Sequence, residues 1–103
     1  MKDKATKIYL IGTWRDFGPF GQMVGMRVVG YYTDLETAKQ CVEENWGDIY
    51  EDGYYHYAVI EDAEPGLYKT CMSKPLFYNW KDGKYTKIKR PKALKNNFGF
   101  TIG

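Results

Sequence analysis

The chain has 103 residues, 44% of them hydrophobic and 27% charged, with a formal net charge of +2. That length supports one hydrophobic core and one domain, residues 1–103. No apolar stretch is long enough to span a bilayer, and two cysteines with one histidine cannot fill a four-ligand zinc site within one chain.

The small net charge hides a segregation. Residues 34–64 carry ten acids and one base, whereas 69–95 carry nine bases and one acid. This reads either as a basic surface that attracts phosphate, nucleic acid or an acidic partner, or as two solvated faces of opposite sign. Aromatic residues make up 17% of the chain. They are densest between Tyr50 and Tyr85, and rings of this kind fill small cores and also make strong contact surfaces.

In chain order, residues 1–6 are polar and expected to fray. The segment lacks the apolar stretch and cleavage site of a signal peptide. Residues 7–14, rich in Ile, Tyr and Leu, predict a strand. Gly18, Pro19 and Gly21 then predict a loop over 15–23. A second strand is expected over 24–32, completing a hairpin with a long mobile tip. The helix signal follows. Thr33 and Glu36 fit a capping box, Leu35, Ala38, Cys41, Val42 and Trp46 recur on one helical face, and Gly47 is the expected stop. Trp46 reads as an anchor of the helix end on the sheet.

Asp52-Gly53 predicts a turn into a strand over 54–61, and Pro65-Gly66 predicts a type II turn before a short strand over 67–72. Strands over 76–80 and 84–89 flank Asp82-Gly83, a strong hairpin signal. Residues 98–102 are read as a last strand. The expected fold is α+β, with one helix packed on a mostly antiparallel sheet of about five to six strands in β-β-α-β-β-β order. Its other face would need cover from loops, a second subunit or a ligand. Cys41 and Cys71 lie in no metal or redox motif and read as reduced, partly buried thiols in a cytoplasmic protein.

The tests for chemistry point away from an enzyme. His56 is the only histidine, and no local motif pairs it with a nucleophile. The carboxylates of Glu61, Asp62 and Glu64, and of Asp48, Glu51 and Asp52, lack the order of a calcium loop and read as solvated turns. No catalytic residue, metal or cofactor is expected. In the loop after the first strand, Arg15 is flanked by Trp14, Phe17 and Phe20, an arrangement that can hold a phosphate while a ring stacks on a base. A hairpin tip that folds its own rings onto the core explains the same residues. The 76–90 hairpin interleaves Trp80 and Tyr85 with Lys87 and Arg90. It reads as a single-stranded nucleic-acid platform or as an edge guarded by lysines. The candidate ligand-binding residues are therefore Trp14, Arg15, Phe17, Phe20, Trp80, Tyr85, Lys87 and Arg90.

The chain also resembles a group of small α+β proteins of bacteria and their phages. The resemblance lies in Glu44-Asn45-Trp46-Gly47-Asp48-Ile49-Tyr50, Tyr57-Ala58-Val59-Ile60-Glu61, Glu64-Pro65-Gly66-Leu67-Tyr68 and Gly99-Phe100-Thr101-Ile102-Gly103, and extends over about residues 28–103. It implies a context and no catalytic residues: an accessory or counter-defence factor that traps a ligand or blocks a host protein. The expected function is accordingly a non-catalytic binding protein that sequesters a small anionic, nucleotide-like ligand or blocks a host protein. The alternatives are a self-associating adaptor, as a homo-oligomer, and a nucleic-acid-binding module. No membrane partner is expected.

Overall fold

A computed structural model describes residues 7–63 and 75–94. Five strands form one antiparallel sheet: β1 (Ile8–Trp14), β4 (Arg27–Tyr32), β5 (Tyr57–Ala63), β6 (Leu76–Lys81) and β7 (Lys84–Ile88), in the spatial order β4-β1-β5-β6-β7. Two short strands, β2 (Asp16–Phe17) and β3 (Met23–Val24), pair as a separate ladder. Helix α1 (Leu35–Glu43) packs across the sheet. The fold is therefore α+β, as its pattern predicts. Among the described residues no helix is long and apolar enough to cross a membrane. The strands expected over 67–72 and 98–102 lie outside the described residues, as does Cys71.

The segment expected as an open loop after β1 is ordered. β2 and β3 continue the hairpin inward, and its tip is closed by Gly18 N–H to Gln22 O at 2.8 Å and Gly21 N–H to Gly18 O at 2.9 Å. The strand expected over 24–32 is split by Gly25, whose φ of +75° places it in the left-handed region that favours glycine.

The helix starts one residue later than its capping box suggests. Asp34, and not Thr33, is the N-cap, and its carboxylate accepts from both the N–H and the hydroxyl of Thr37 at 2.8 Å. An aspartate here satisfies a free N–H and also meets the positive end of the helix dipole. The helix ends at Glu43, before Gly47, because Asn45 turns left-handed at φ 53°.

β5 begins three residues later than the sequence predicts. Glu51, Asp52 and Gly53 all have positive φ, and the N–H groups of Tyr54 and Tyr55 bond back to Tyr50 O. Those two residues therefore belong to the turn. The strand also runs further, so Glu61 is fully buried within it and is not part of a solvated turn. By contrast the Asp82-Gly83 hairpin forms as expected, with φ of 54° and 83°, both positive as a type I′ turn requires.

Alternation along the strands produces two clusters. On the helix side, Ile11, Ala58, Ile60, Tyr78 and Tyr85 pack with Ala38, Cys41 and Val42. Trp46 packs at the margin of this cluster, as an anchor of the helix end should. On the opposite face, Trp14, Val59 and Phe77 pack with Leu94, and Phe17, Met23 and Met26 of the folded-back hairpin cover them. The hairpin thus buries its own rings against the sheet, which is why Trp14 is fully buried.

Candidate ligand site at the start of β5

The late start of β5 leaves a notch in the sheet. Tyr57, its first residue, pairs with Trp14 of β1 on one side and with Asn79 of β6 on the other. Beyond this row β1 turns away, with Arg15 N–H bonded to Val24 O at 2.8 Å, while β6 runs on to Lys81. The gap between them is a cavity of about 210 Å³ lined by Arg15, Asp16, His56, Tyr57, Asn79 and Trp80. One main-chain bond fixes its side: Trp80 N–H donates to His56 O at 2.7 Å.

The lining is polar and ordered. Arg15 donates to the Tyr54 hydroxyl at 3.1 Å, and its guanidinium carbon lies 5.4 Å from the centre of the Tyr54 ring. Among the described residues it has no carboxylate partner. Asp16 lines the same notch, but one of its oxygens accepts the Phe17 N–H at 2.8 Å. Trp80 is stacked on Tyr50 at 3.6 Å with the rings nearly parallel, and exposed His56 meets Tyr50 edge-on at 5.9 Å. The Asn79 Oδ1 is buried with no hydrogen-bond partner, which is costly in a folded protein. A cation held in place and a braced ring together suit a small ligand that carries negative charge and a planar group.

Of the eight candidate residues, the notch brings together Arg15 and Trp80. Trp14 is a core residue stacked on Tyr57 at 5.1 Å. Phe17, half-buried, packs edge-on against both rings. Tyr85 is also core, and its hydroxyl donates to Tyr55 O at 2.6 Å. Neither Trp14 nor Tyr85 offers a free face for stacking, because the chain's own rings cover both. Phe20 stands on the hairpin tip, 93% exposed. Lys87 is exposed on β7. Arg90 lies over the Phe77 ring at 5.6 Å and donates to Leu94 O at 3.2 Å. Asp16, His56, Tyr57 and Asn79 belong to the notch but not to the sequence-derived set. The one signal for Asn79 is its polar amide inside the aromatic run from Phe77 to Trp80.

A larger cavity of about 340 Å³ lies under β4, walled by Ile11, Val29, Tyr32, Cys41, Trp46 and Ile49. It holds no charged side chain. Burial pushes the Cys41 thiol up, against a smaller opposing effect of its bond with Tyr32, so the thiol stays protonated and a weak nucleophile. This cavity exceeds the notch in volume, but chemistry favours the notch.

No protein-family model matches the chain, and no curated protein or solved structure shows significant similarity to it.

Proposed function

We propose that the protein is a non-catalytic binding protein that holds a small anionic, nucleotide-like ligand in the notch at the start of β5. Arg15 carries this reading. Its guanidinium is oriented by Tyr54 and faces no carboxylate partner among the described residues, so it can bind a phosphate or carboxylate through a charge-assisted pair. Trp80, braced by Tyr50, supplies an apolar wall for the planar part. Binding is favoured over bond-making because Cys41 lines the other cavity, so that no thiol among the described residues lines the notch with His56. The phage-type accessory role implied by the resemblance would then be sequestration of such a ligand.

Calorimetry against inorganic phosphate, mononucleotides and cyclic oligonucleotides tests this. At least one should bind, and Arg15→Ala should weaken it roughly 10- to 100-fold, the range for a hydrogen-bonded charge. No heat with any of them, or unchanged affinity in Arg15→Ala, would overturn the reading.

A further inference from the structure

The two outer strands of the main sheet, β4 and β7, are built differently. β7 carries exposed Lys84 and Lys87, and lysines discourage a further strand from pairing at an open edge. β4 carries no lysine. Its one charged residue, Arg27, is already paired with Glu51 at 2.6 Å. On the face away from the helix, Val28 and Tyr31 stand 49% and 60% exposed. Among the described residues β4 pairs with β1 alone.

β4 also carries a bulge. Its pairing with β1 steps from Ile11 and Gly30 to Gly12 and Val28, passing over Val29, so β4 has one extra residue there. Side-chain alternation changes phase at that point. Val29 and Tyr32 pack on the helix-side cluster, and Arg27 reaches the same side by donating to Ile49 O. Val28 and Tyr31, three residues apart, share the opposite face, across from Gly12 and Leu10 of β1. A regular strand laid along β4 would match its faces on one side of the bulge and mismatch them on the other. An identical strand, antiparallel about a two-fold axis, brings the same bulge and stays matched throughout.

We infer that β4 is a self-association edge, on which a second copy of this chain pairs its own β4 antiparallel and joins the two five-stranded sheets into one. The register follows from the bulge. With Val29 opposite the Gly30 of the second copy, Val28 meets Tyr31 and Arg27 meets Tyr32, and the members of each pair lie on the same face. A shift of one residue either way sets Tyr31 against a residue of the other face. In the matched register no charged side chain faces its like. The contact between a β-branched residue and a ring, a favourable cross-strand pair, forms twice. A two-fold pair of this kind closes on itself, whereas β4 laid on β7 would extend without end.

Sedimentation equilibrium of the intact chain over a concentration series tests this. Two short strands bury less than a standard interface, so a dimer with a dissociation constant on the order of 100 µM is expected. Val28→Lys/Tyr31→Lys sets like charges opposite one another in both pairs and should weaken dimerisation at least tenfold. Val28→Lys/Tyr31→Glu changes the same two exposed positions but sets opposite charges across the axis, and should restore the dimer. That restoration also excludes a folding defect as the cause of the first loss. Lys87→Glu on β7 should have no effect. A strict monomer up to about 1 mM, a dimer that persists in Val28→Lys/Tyr31→Lys, or a Val28→Lys/Tyr31→Glu variant no better than it would each overturn the inference.

Discussion

Arg15 and Arg27 flank the same hairpin, yet their surroundings give them different work. Arg27 is fully engaged. It pairs with Glu51 at 2.6 Å, donates to Thr13 Oγ1 and to Ile49 O at 3.2 Å each, and lies 4.0 Å over the Tyr55 ring. Its partners all lie in β1 or in the turn between α1 and β5, where Asn45, Asp48, Glu51 and Asp52 all have positive φ. Non-glycine residues in that region are held at a cost that other contacts must offset, and Arg27 supplies three such contacts, to Glu51, Ile49 and Tyr55. Arg27→Met keeps the stem but strands the Thr13 hydroxyl, which is fully buried. It should lower the unfolding free energy by about 1–3 kcal/mol, measured by urea denaturation. Arg27→Lys should recover only part of the loss, because an ammonium cannot reproduce the planar fork. The Arg15 side chain makes one hydrogen bond among the described residues, to Tyr54, and Arg15→Ala should leave stability nearly unchanged. Composition cannot tell these two arginines apart; only the pairing of β1 with β5 does.

Among the elements, the helix illustrates both what sequence pattern conveys and where it falls short. Its apolar face is periodic and was legible, but Thr33 and Asp34 are adjacent and both good caps, so the start was ambiguous by one residue. The hydrogen bonds of Thr37 resolve it. They hold the Asp34 carboxyl below its usual range, the Thr37 side-chain bond contributing most and the backbone bond next. A depressed carboxylate contributes stability that is present above its unfolded value near 3.8 and is lost as pH falls through the lower folded value. Asp34→Ala should therefore melt at lower temperature than the parent at neutral pH, and the gap should narrow below about pH 4. Thr33→Ala should show no such pH-dependent gap. The Asp82-Gly83 hairpin was also legible, because a two-residue turn encodes its own conformation. The notch was not. It depends on β5 starting at Tyr57 in place of Tyr54, and that shift follows from left-handed residues at Glu51 and Asp52, which no local propensity demands. Arg15 and Trp80 were visible as candidates, whereas their meeting beside Asn79 is a long-range consequence of strand register.

At the scale of the molecule, two buried phenols join the layers. The Tyr78 hydroxyl on β6 donates to Glu43 of α1 at 3.3 Å, and that of Tyr85 on β7 donates to Tyr55 O in the turn before β5 at 2.6 Å. Burial is the main force raising both above the ordinary value of 10.0. The charge of Glu43 adds to it for Tyr78, and Tyr50 adds to it for Tyr85, against a smaller opposing effect of Arg27. In the unfolded chain these phenols ionise near pH 10, while in the folded protein they still hold their protons, so the folded state binds more protons and stability must fall as pH rises. The contribution is intact below pH 10 and is lost progressively above it. With two such groups the slope should approach about 2.7 kcal/mol per pH unit, twice the value for a single proton. Urea denaturation at a series of alkaline pH values, followed alongside tyrosinate absorbance, measures it. The share of the tyrosinate signal that belongs to these two phenols, read as the difference from a Tyr78→Phe/Tyr85→Phe variant, should appear only with loss of structure, because they ionise on unfolding. Tyr85→Phe should show a constant deficit near neutrality, from the stranded Tyr55 carbonyl, and about half the alkaline slope. An unchanged slope would mean that Tyr85 ionises without unfolding, and that the layers are not held together through it.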